Sequence, residues 1–324
     1  MEDPPRKLRR RTSIIVGVVV GIAILSIILG VTLRPQSPSS SVSDNIFNVE
    51  GNVTSSSNST ASSAAFTVEA SFELLETVPH DSDAFTQGLE LIRIKDPSST
   101  TEAWLFSDAY YQSTGQYGSS SLRKVDLRTG EVQQLRPLER SYFGEGMTSF
   151  DNGNKLIQIT WKAQTAFVYN TTSFDVLEVL SYTNTNGQGW GICHVDDRNI
   201  FYVTDGTNYL HTWDEKTFEL LGKMPVIMRS EETASARPVD KLNELEWDFH
   251  SRTVLANVWK EDFIVRIDPS TGFVTHRYDL SSLYRPFDAN VLNGIAITGV
   301  PNEIWVTGKY WPNMYRIRLT DQTV

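Results

Sequence analysis

The chain has 324 residues, 40% of them apolar, a formal net charge of −10 and one cysteine. That length allows one large domain or two small ones, and a single cysteine excludes an internal disulfide framework. From residue 12 onward 37 Asp and Glu face 24 Lys and Arg, a net of −13, which argues against nucleic acid as a partner.

The chain opens with a basic tail, residues 1–13, in which Arg6 to Arg11 reads RKLRRR and carries five positive charges. Ile14 to Leu33 follows, 20 residues without a charge. At about 1.5 Å per residue an α-helix of that length spans roughly 30 Å, the thickness of a bilayer core. Positive residues stay on the cytoplasmic side, so the spacing predicts a signal-anchor helix over 14–33 with the remainder in the lumen or outside. A cleaved signal peptide is the competing reading, but its apolar core is usually only about 7–15 residues.

Residues 34–66 read as a flexible stem. Thirteen of the 31 residues from Pro35 to Ala65 are Ser or Thr, and Phe47 is the only aromatic. Such a segment lacks the apolar surface to order itself and has the composition of an O-glycosylated stalk. Asn52 and Asn58 are N-glycosylation sequons within it, and Asn170 is a third further on. Together these features predict a single-pass type II membrane protein of the secretory pathway (endoplasmic reticulum or Golgi), with residues 67–324 as a lumenal domain.

The lumenal part repeats. One motif is Asp or Asn, then four residues on a Gly or Phe. It occurs at Asp126, Asn170, Asp214 and Asp268, with spacings of 44, 44 and 54. Nine residues before the last three sit Trp161, Asp205 and Trp259, each closing a short apolar run, and a similar run ends at Lys309. A further motif precedes each run: FTQGLE, FGEGMT, GWGICH, LNELEW and LNGIAI. Aligning Gly88, Gly146, Gly191, Glu244 and Gly294 gives spacings of 58, 45, 53 and 50. Short β-branched or aromatic segments at this period, separated by turn residues and without a helical period, predict four-stranded units. Five copies predict an all-β, five-bladed β-propeller. The strand around Phe72–Val78 is left over at the start, and a strand is missing after Leu319. The ring is therefore expected to close through the N-terminal strand, which removes an exposed edge.

In such a ring the first strand of each unit lines the axis, and glycine there permits close approach. The residues before the aligned positions are Gln87, Glu145, Trp190, Asn243 and Asn293. They are expected to converge at one mouth of the channel, with Glu145 as the only acid. Spacing alone leaves two readings open, an inert hydrogen-bonded plug or a functional site.

The ordered motifs AFTQGLE, YFGEGMT, QITWK, GWGI, LNELEW, LANVW, IVRIDPSTG, VLNGIA and VTGKYWP resemble the plant- and bacterial-type glutaminyl cyclases, from about Phe72 to Leu319. The resemblance implies a five-bladed propeller that converts N-terminal glutamine to pyroglutamate with release of ammonia, needing no catalytic metal or other cofactor. It implies that Glu145 is the catalytic acid and that Lys309 matches the terminal GK lysine. It also implies that Phe85, Gln87, Phe143, Trp161, Trp190, Asn243 and Trp259 bind substrate. Lys309 or an indole N–H is the expected oxyanion donor. The implied partners are peptides or proteins with N-terminal glutamine, acted on by a monomeric catalytic domain. A non-catalytic lumenal propeller that binds peptides or glycans is the alternative.

Other features carry less. Asp81-Ser-Asp83 mimics a metal-binding DxD but reads as a polar turn. Cys193 reads as a buried small hydrophobe. The five histidines show no zinc spacing. Glu246 is either a second acid or half of a structural pair with a neighbour.

Overall fold

The computed structural model describes residues 66–100 and 103–321. The basic tail, the anchor, most of the stem, Asn52 and Asn58 lie outside the described residues. Among the described residues there are strands and turns and no helix.

The strand β1 (Val68–Pro79) comes first. Four strands then form an antiparallel sheet in chain order: β2 (Thr86–Lys95), β3 (Trp104–Thr114), β4 (Ser121–Asp126) and β5 (Val132–Pro137). A second such sheet holds β6 (Gly144–Phe150), β7 (Lys155–Thr160), β8 (Thr165–Asn170) and β9 (Val176–Ser181). A third holds β10 (Ile192–Val195), β11 (Ile200–Val203), β12 (Tyr209–Asp214) and β13 (Leu220–Pro225). A short hairpin, β14 (Ile227–Arg229) with β15 (Ala236–Pro238), intervenes. The last sheet has eight strands. One half is β16 (Leu242–Asp248), β17 (Thr253–Val258), β18 (Phe263–Ile267) and β19 (Val274–Asp279). The other is β20 (Leu292–Ile297), β21 (Glu303–Gly308) and β22 (Asn313–Thr320), completed by β1.

Strand β1 is the leftover strand of the sequence, and it completes the last unit as expected. Ser71–Pro79 pairs antiparallel with β22. The same strand does something the sequence did not predict. Its first residues, Val68–Ala70, pair in parallel with β19 and weld two units into one sheet.

Burial falls from the first to the last strand of each unit. Every residue of β6, β10, β16 and β20 is buried, whereas β9 and β13 are mostly exposed. The first strands β2, β6, β10, β16 and β20 contact one another in that cyclic order. The core lies between the faces of neighbouring units. Ile157, Ile159 and Phe150 meet Phe201 and Trp213, for example, and Leu89 and Tyr110 meet Trp305 and Met314. The architecture is propeller-like.

Both sequence motifs have physical explanations. Asp126, Asn170, Asp214 and Asp268 begin the last hairpin of four units. Each side-chain oxygen accepts from backbone N–H groups two or three residues on. The residue four on is left-handed, with φ of 71° at Gly130, 60° at Phe174, 58° at Phe218 and 76° at Gly272. This motif occurs four times because the last unit takes its outer strand from β1 and has no such hairpin. In the other motif, a Cβ at Gly191 would lie 2.1 Å from the Asn243 carbonyl oxygen, and one at Gly146 would lie 2.8 Å from the Gly191 Cα. Backbone approaches backbone there, so no side chain fits. The fourth copy has Glu244 instead. Its carboxylate reaches sideways and accepts from Leu89 N at 3.2 Å and Ile295 N at 2.9 Å, tying three first strands together.

Candidate active site

The first strands aim their polar residues by bulging. Glu145 and Gly146 of β6 together oppose one residue of β7, because Gly144 pairs with Thr160 and Met147 with Gln158. Asn243 and Glu244 in β16, and Asn293 and Gly294 in β20, bulge at the same place. Gln87 is the extra residue in β2. A bulge turns a side chain out of the regular alternation. Here it turns Gln87, Glu145 and Asn243 toward one cavity.

That cavity measures about 300 Å³ and brings together all nine residues singled out from the sequence. Glu145, Gln87 and Asn243 come from the bulges. Trp161, Trp259 and Lys309 come from the ends of the second strands, Phe85 and Phe143 from just before the first strands, and Trp190 from the residue pair before β10. The aromatic rings interlock. Phe143 makes edge contacts with Phe85 at 5.9 Å and Trp161 at 5.5 Å, and Trp190 meets Trp259 at 5.7 Å. Two glycines make room for the wall. A Cβ on Gly115 would strike the Phe143 ring at 2.3 Å, and one on Gly206, where φ is 80°, would strike Trp190 at 2.6 Å. Lys162 and Lys260 lie over the indoles of Trp161 and Trp259, 3.9 and 4.5 Å from the ring centroids.

Glu145 is 5% exposed. Among the described residues no hydrogen bond or salt bridge holds its carboxylate. Burial pushes its pKa well above the ordinary value, and only the charge of Lys309 pulls it back. Lys309 is itself buried, and its ammonium lies 4.6 Å from the Phe85 ring centroid. Burial pushes its pKa down to about 8, against the opposing pull of Glu145. The two groups therefore have pKa values drawn toward each other and toward neutrality, an arrangement associated with proton transfer. Asn243 Oδ1 is buried without a partner. Asn293, the fifth of the converging residues, stands behind the cavity and donates to Gln87 Oε1 at 3.3 Å and to the Thr86 carbonyl.

Two site residues were missed by the sequence reading. Gln116 lines the cavity with φ of 97°, just after Gly115. Gly115 holds the repeat position of Trp161, since Gly115 N bonds to Phe85 O as Trp161 N bonds to Phe143 O. The repeat itself points to the neighbours of Gln116 instead, to Gly115 by hydrogen bonding and to Tyr117 by the nine-residue spacing before Asp126. Gln188 accepts from Trp161 Nε1 at 2.6 Å and Trp190 Nε1 at 3.1 Å. This narrows the expectation of an indole oxyanion donor. The N–H groups of Trp161 and Trp190 are already engaged, which leaves Trp259.

Asp81, Cys193 and Glu246 have structural roles. Asp81 Oδ1 accepts from Asp83 N in a local turn, and its other oxygen meets Arg123 at 2.6 Å. Cys193 is fully buried, and burial among carboxylates raises its thiol pKa well above the ordinary value. Glu246 accepts from Ile297 N at 3.0 Å. Asn170 spends its side-chain oxygen on its hairpin turn.

Residues 48–319 match the family model of glutamine cyclotransferase. A glutaminyl-peptide cyclotransferase from Arabidopsis thaliana is 36% identical over 253 residues, which is 76% of this chain and 71% of that one. The crystal structure of Myxococcus xanthus glutaminyl cyclase superposes with a TM-score of 0.64 and 27% identity, over 78% of this chain and 98% of that one. Matched in sequence and in fold across most of its length, the chain belongs to the glutamine cyclotransferase family.

Proposed function

We propose that the protein is a glutaminyl-peptide cyclotransferase, closing the N-terminal glutamine of peptides or proteins to pyroglutamate and releasing ammonia. The observation that carries this reading is the Glu145 carboxyl group, buried without a hydrogen bond in an aromatic cavity beside a lysine of lowered pKa. A pocket that only binds has no use for so costly an unpartnered acid.

The substrate supplies its own proximity, because the α-amine of glutamine lies within reach of its γ-carboxamide carbon. The amine must lose a proton on attack, and the departing nitrogen must gain one. One carboxylate performs both transfers. Glu145 takes a proton from the attacking amine as the ring C–N bond forms, then delivers it to the side-chain amide nitrogen as the bond from the γ-carboxamide carbon to that nitrogen breaks and ammonia leaves. Lys309, with the indole N–H of Trp259, faces the negative oxygen of the tetrahedral intermediate. The partnerless oxygen of Asn243 accepts from the substrate amine, and Gln87 orients the side-chain amide. The aromatic wall excludes water and holds the Glu145 pKa up. Incubating residues 62–324 with a glutamine-initiated peptide tests the reading. Loss of one ammonia from the peptide mass, faster than spontaneous cyclisation, supports it. Tight binding without mass loss favours the non-catalytic propeller.

The finer architecture belongs to the same proposal. We infer a ring of five blades, with β1 as the outer strand of the last, supported by the cyclic contact of five first strands. The sequence further supports a signal-anchor at 14–33, a stem at 34–66, a lumenal monomeric domain at 67–324 and glycans at Asn52, Asn58 and Asn170. From these sequence features we infer a type II membrane protein of the endoplasmic reticulum or Golgi.

A further inference from the structure

The third unit differs from the first two at one wall position and from both of its neighbours at a second. Gln188 stands two residues before Trp190, as Phe85 stands before Gln87 and Phe143 before Glu145. Asp205 stands where the neighbouring units place Trp161 and Trp259. Neither Gln188 nor Asp205 lines the cavity. We propose that this unit gives up two wall side chains in order to hold two others, with Gln188 as the positioning residue for Trp161 and Trp190 and Asp205 as the anchor of its loop. The inference rests on the cyclase reading of the pocket.

An indole N–H can only donate, so one oxygen that accepts from both rings fixes the rotation of both. The two tryptophans come from different units, and Gln188 Oε1 is their shared acceptor, at 2.6 and 3.1 Å. The loop that carries Gln188 is tied at several points. Gln188 N donates to Asn184 Oδ1 at 3.1 Å, and Asn184 Nδ2 donates back to the Gln188 carbonyl. Asn186 N donates to Asp205 Oδ2 at 2.8 Å, and Asn186 Nδ2 to the Asp205 carbonyl at 3.1 Å. Thr185 Oγ1 lies 2.9 Å from His211 Nε2. Asp205 is fully buried and sits on the scaffold, so the loop is referred to a rigid part of the fold. Gln188 thereby transmits that rigidity to the faces that pack against the substrate. Small displacements of positioning groups cost catalysis heavily.

Gln188→Leu keeps the bulk but removes the acceptor, whereas Gln188→Glu keeps an acceptor for both N–H groups. Gln188→Ala is a second truncation in case leucine is not tolerated. Each is compared with the parent domain by kcat and KM on a glutamine-initiated peptide, by Tm, and by near-ultraviolet circular dichroism of tryptophan. The expected result for Gln188→Leu is a tryptophan signal altered in a folded protein, with kcat/KM down by about 10- to 100-fold and most of the loss in KM. Gln188→Glu is expected to stay within a few-fold of the parent. The proposal is overturned if a folded truncation keeps parental kcat/KM and tryptophan signal, if Gln188→Glu is as impaired as Gln188→Leu, or if neither truncation folds. An inert parent domain would instead refute the cyclase reading. The dichroism of the folded truncations then decides the positioning claim alone.

Discussion

Replacing Glu145 by glutamine keeps its shape and removes its proton shuttle. Turnover is expected to fall by roughly two to four orders of magnitude, measured above the spontaneous rate, while binding of a non-cyclising peptide stays within a few-fold. The same change has a stability consequence. The folded-state pKa of Glu145 is raised above its unfolded value, so the ionised acid disfavours the fold as pH climbs through that interval. Glu145→Gln should therefore raise Tm near neutral pH, by about 2–4 °C per kcal/mol relieved, and leave it unchanged below pH 4.5, where both states are protonated. Equal Tm at both pH values would refute this account of the buried charge. Lys309 gives a second prediction. Its positive charge is the one influence that lowers the Glu145 pKa, and its own pKa is about 8. Lys309→Met should move the acid limb of the kcat profile to higher pH and abolish an alkaline limb near 8. A parental pH profile in the variant would show that the two groups do not communicate.

At the scale of elements, β1 closes the last unit. Its antiparallel ladder to β22 runs from Ser71 to Pro79, and its parallel ladder to β19 covers Val68 to Ala70. Ion pairs reinforce both sides, Glu73 with Arg318 at 2.9 Å and Glu69 with Arg277 at 2.6 Å, though exposed pairs of this kind add little. The larger effect is the edge. Without β1 the backbone of β22 loses its partners on one edge, and Met314, Tyr315 and Leu319 lose cover, which invites edge-to-edge aggregation. Removing residues 1–79 should lower Tm by more than about 10 °C or yield insoluble protein, because many buried contacts go at once. Removing residues 1–61 should leave Tm where it is. Similar Tm values for the two truncations would contradict closure by β1.

For the whole molecule, the basic tail before Ile14 and the sequons beyond Leu33 predict sidedness. In intact microsomes the catalytic domain should resist added protease until detergent is supplied, and glycosidase should reduce its apparent size. Digestion of the domain without detergent would overturn the lumenal placement. An acidic lumenal domain carrying that cavity would then meet peptides as they pass through the secretory pathway.

The repeat was legible because every unit solves the same local problem. Asp126, Asn170, Asp214 and Asp268 cap a turn of one geometry, and Gly88, Gly146 and Gly191 mark where backbones touch, so both leave a mark at each recurrence. Glu145 was legible because it is the one acid in that register, and the family motifs named its neighbours. The parallel pairing of Val68–Ala70 with β19, the bulges that aim Glu145 and Asn243, and the bonds from Trp161 and Trp190 to Gln188 left no such mark. Each depends on which strands end up adjacent and in what register. Adjacency between residues dozens of positions apart is set by closure of the ring, not by any local pattern. The same closure strips water from Glu145 and Lys309 and brings their pKa values together. The sequence by itself therefore determined the chemistry available, and the tertiary structure decided the electrostatic environment in which that chemistry is placed.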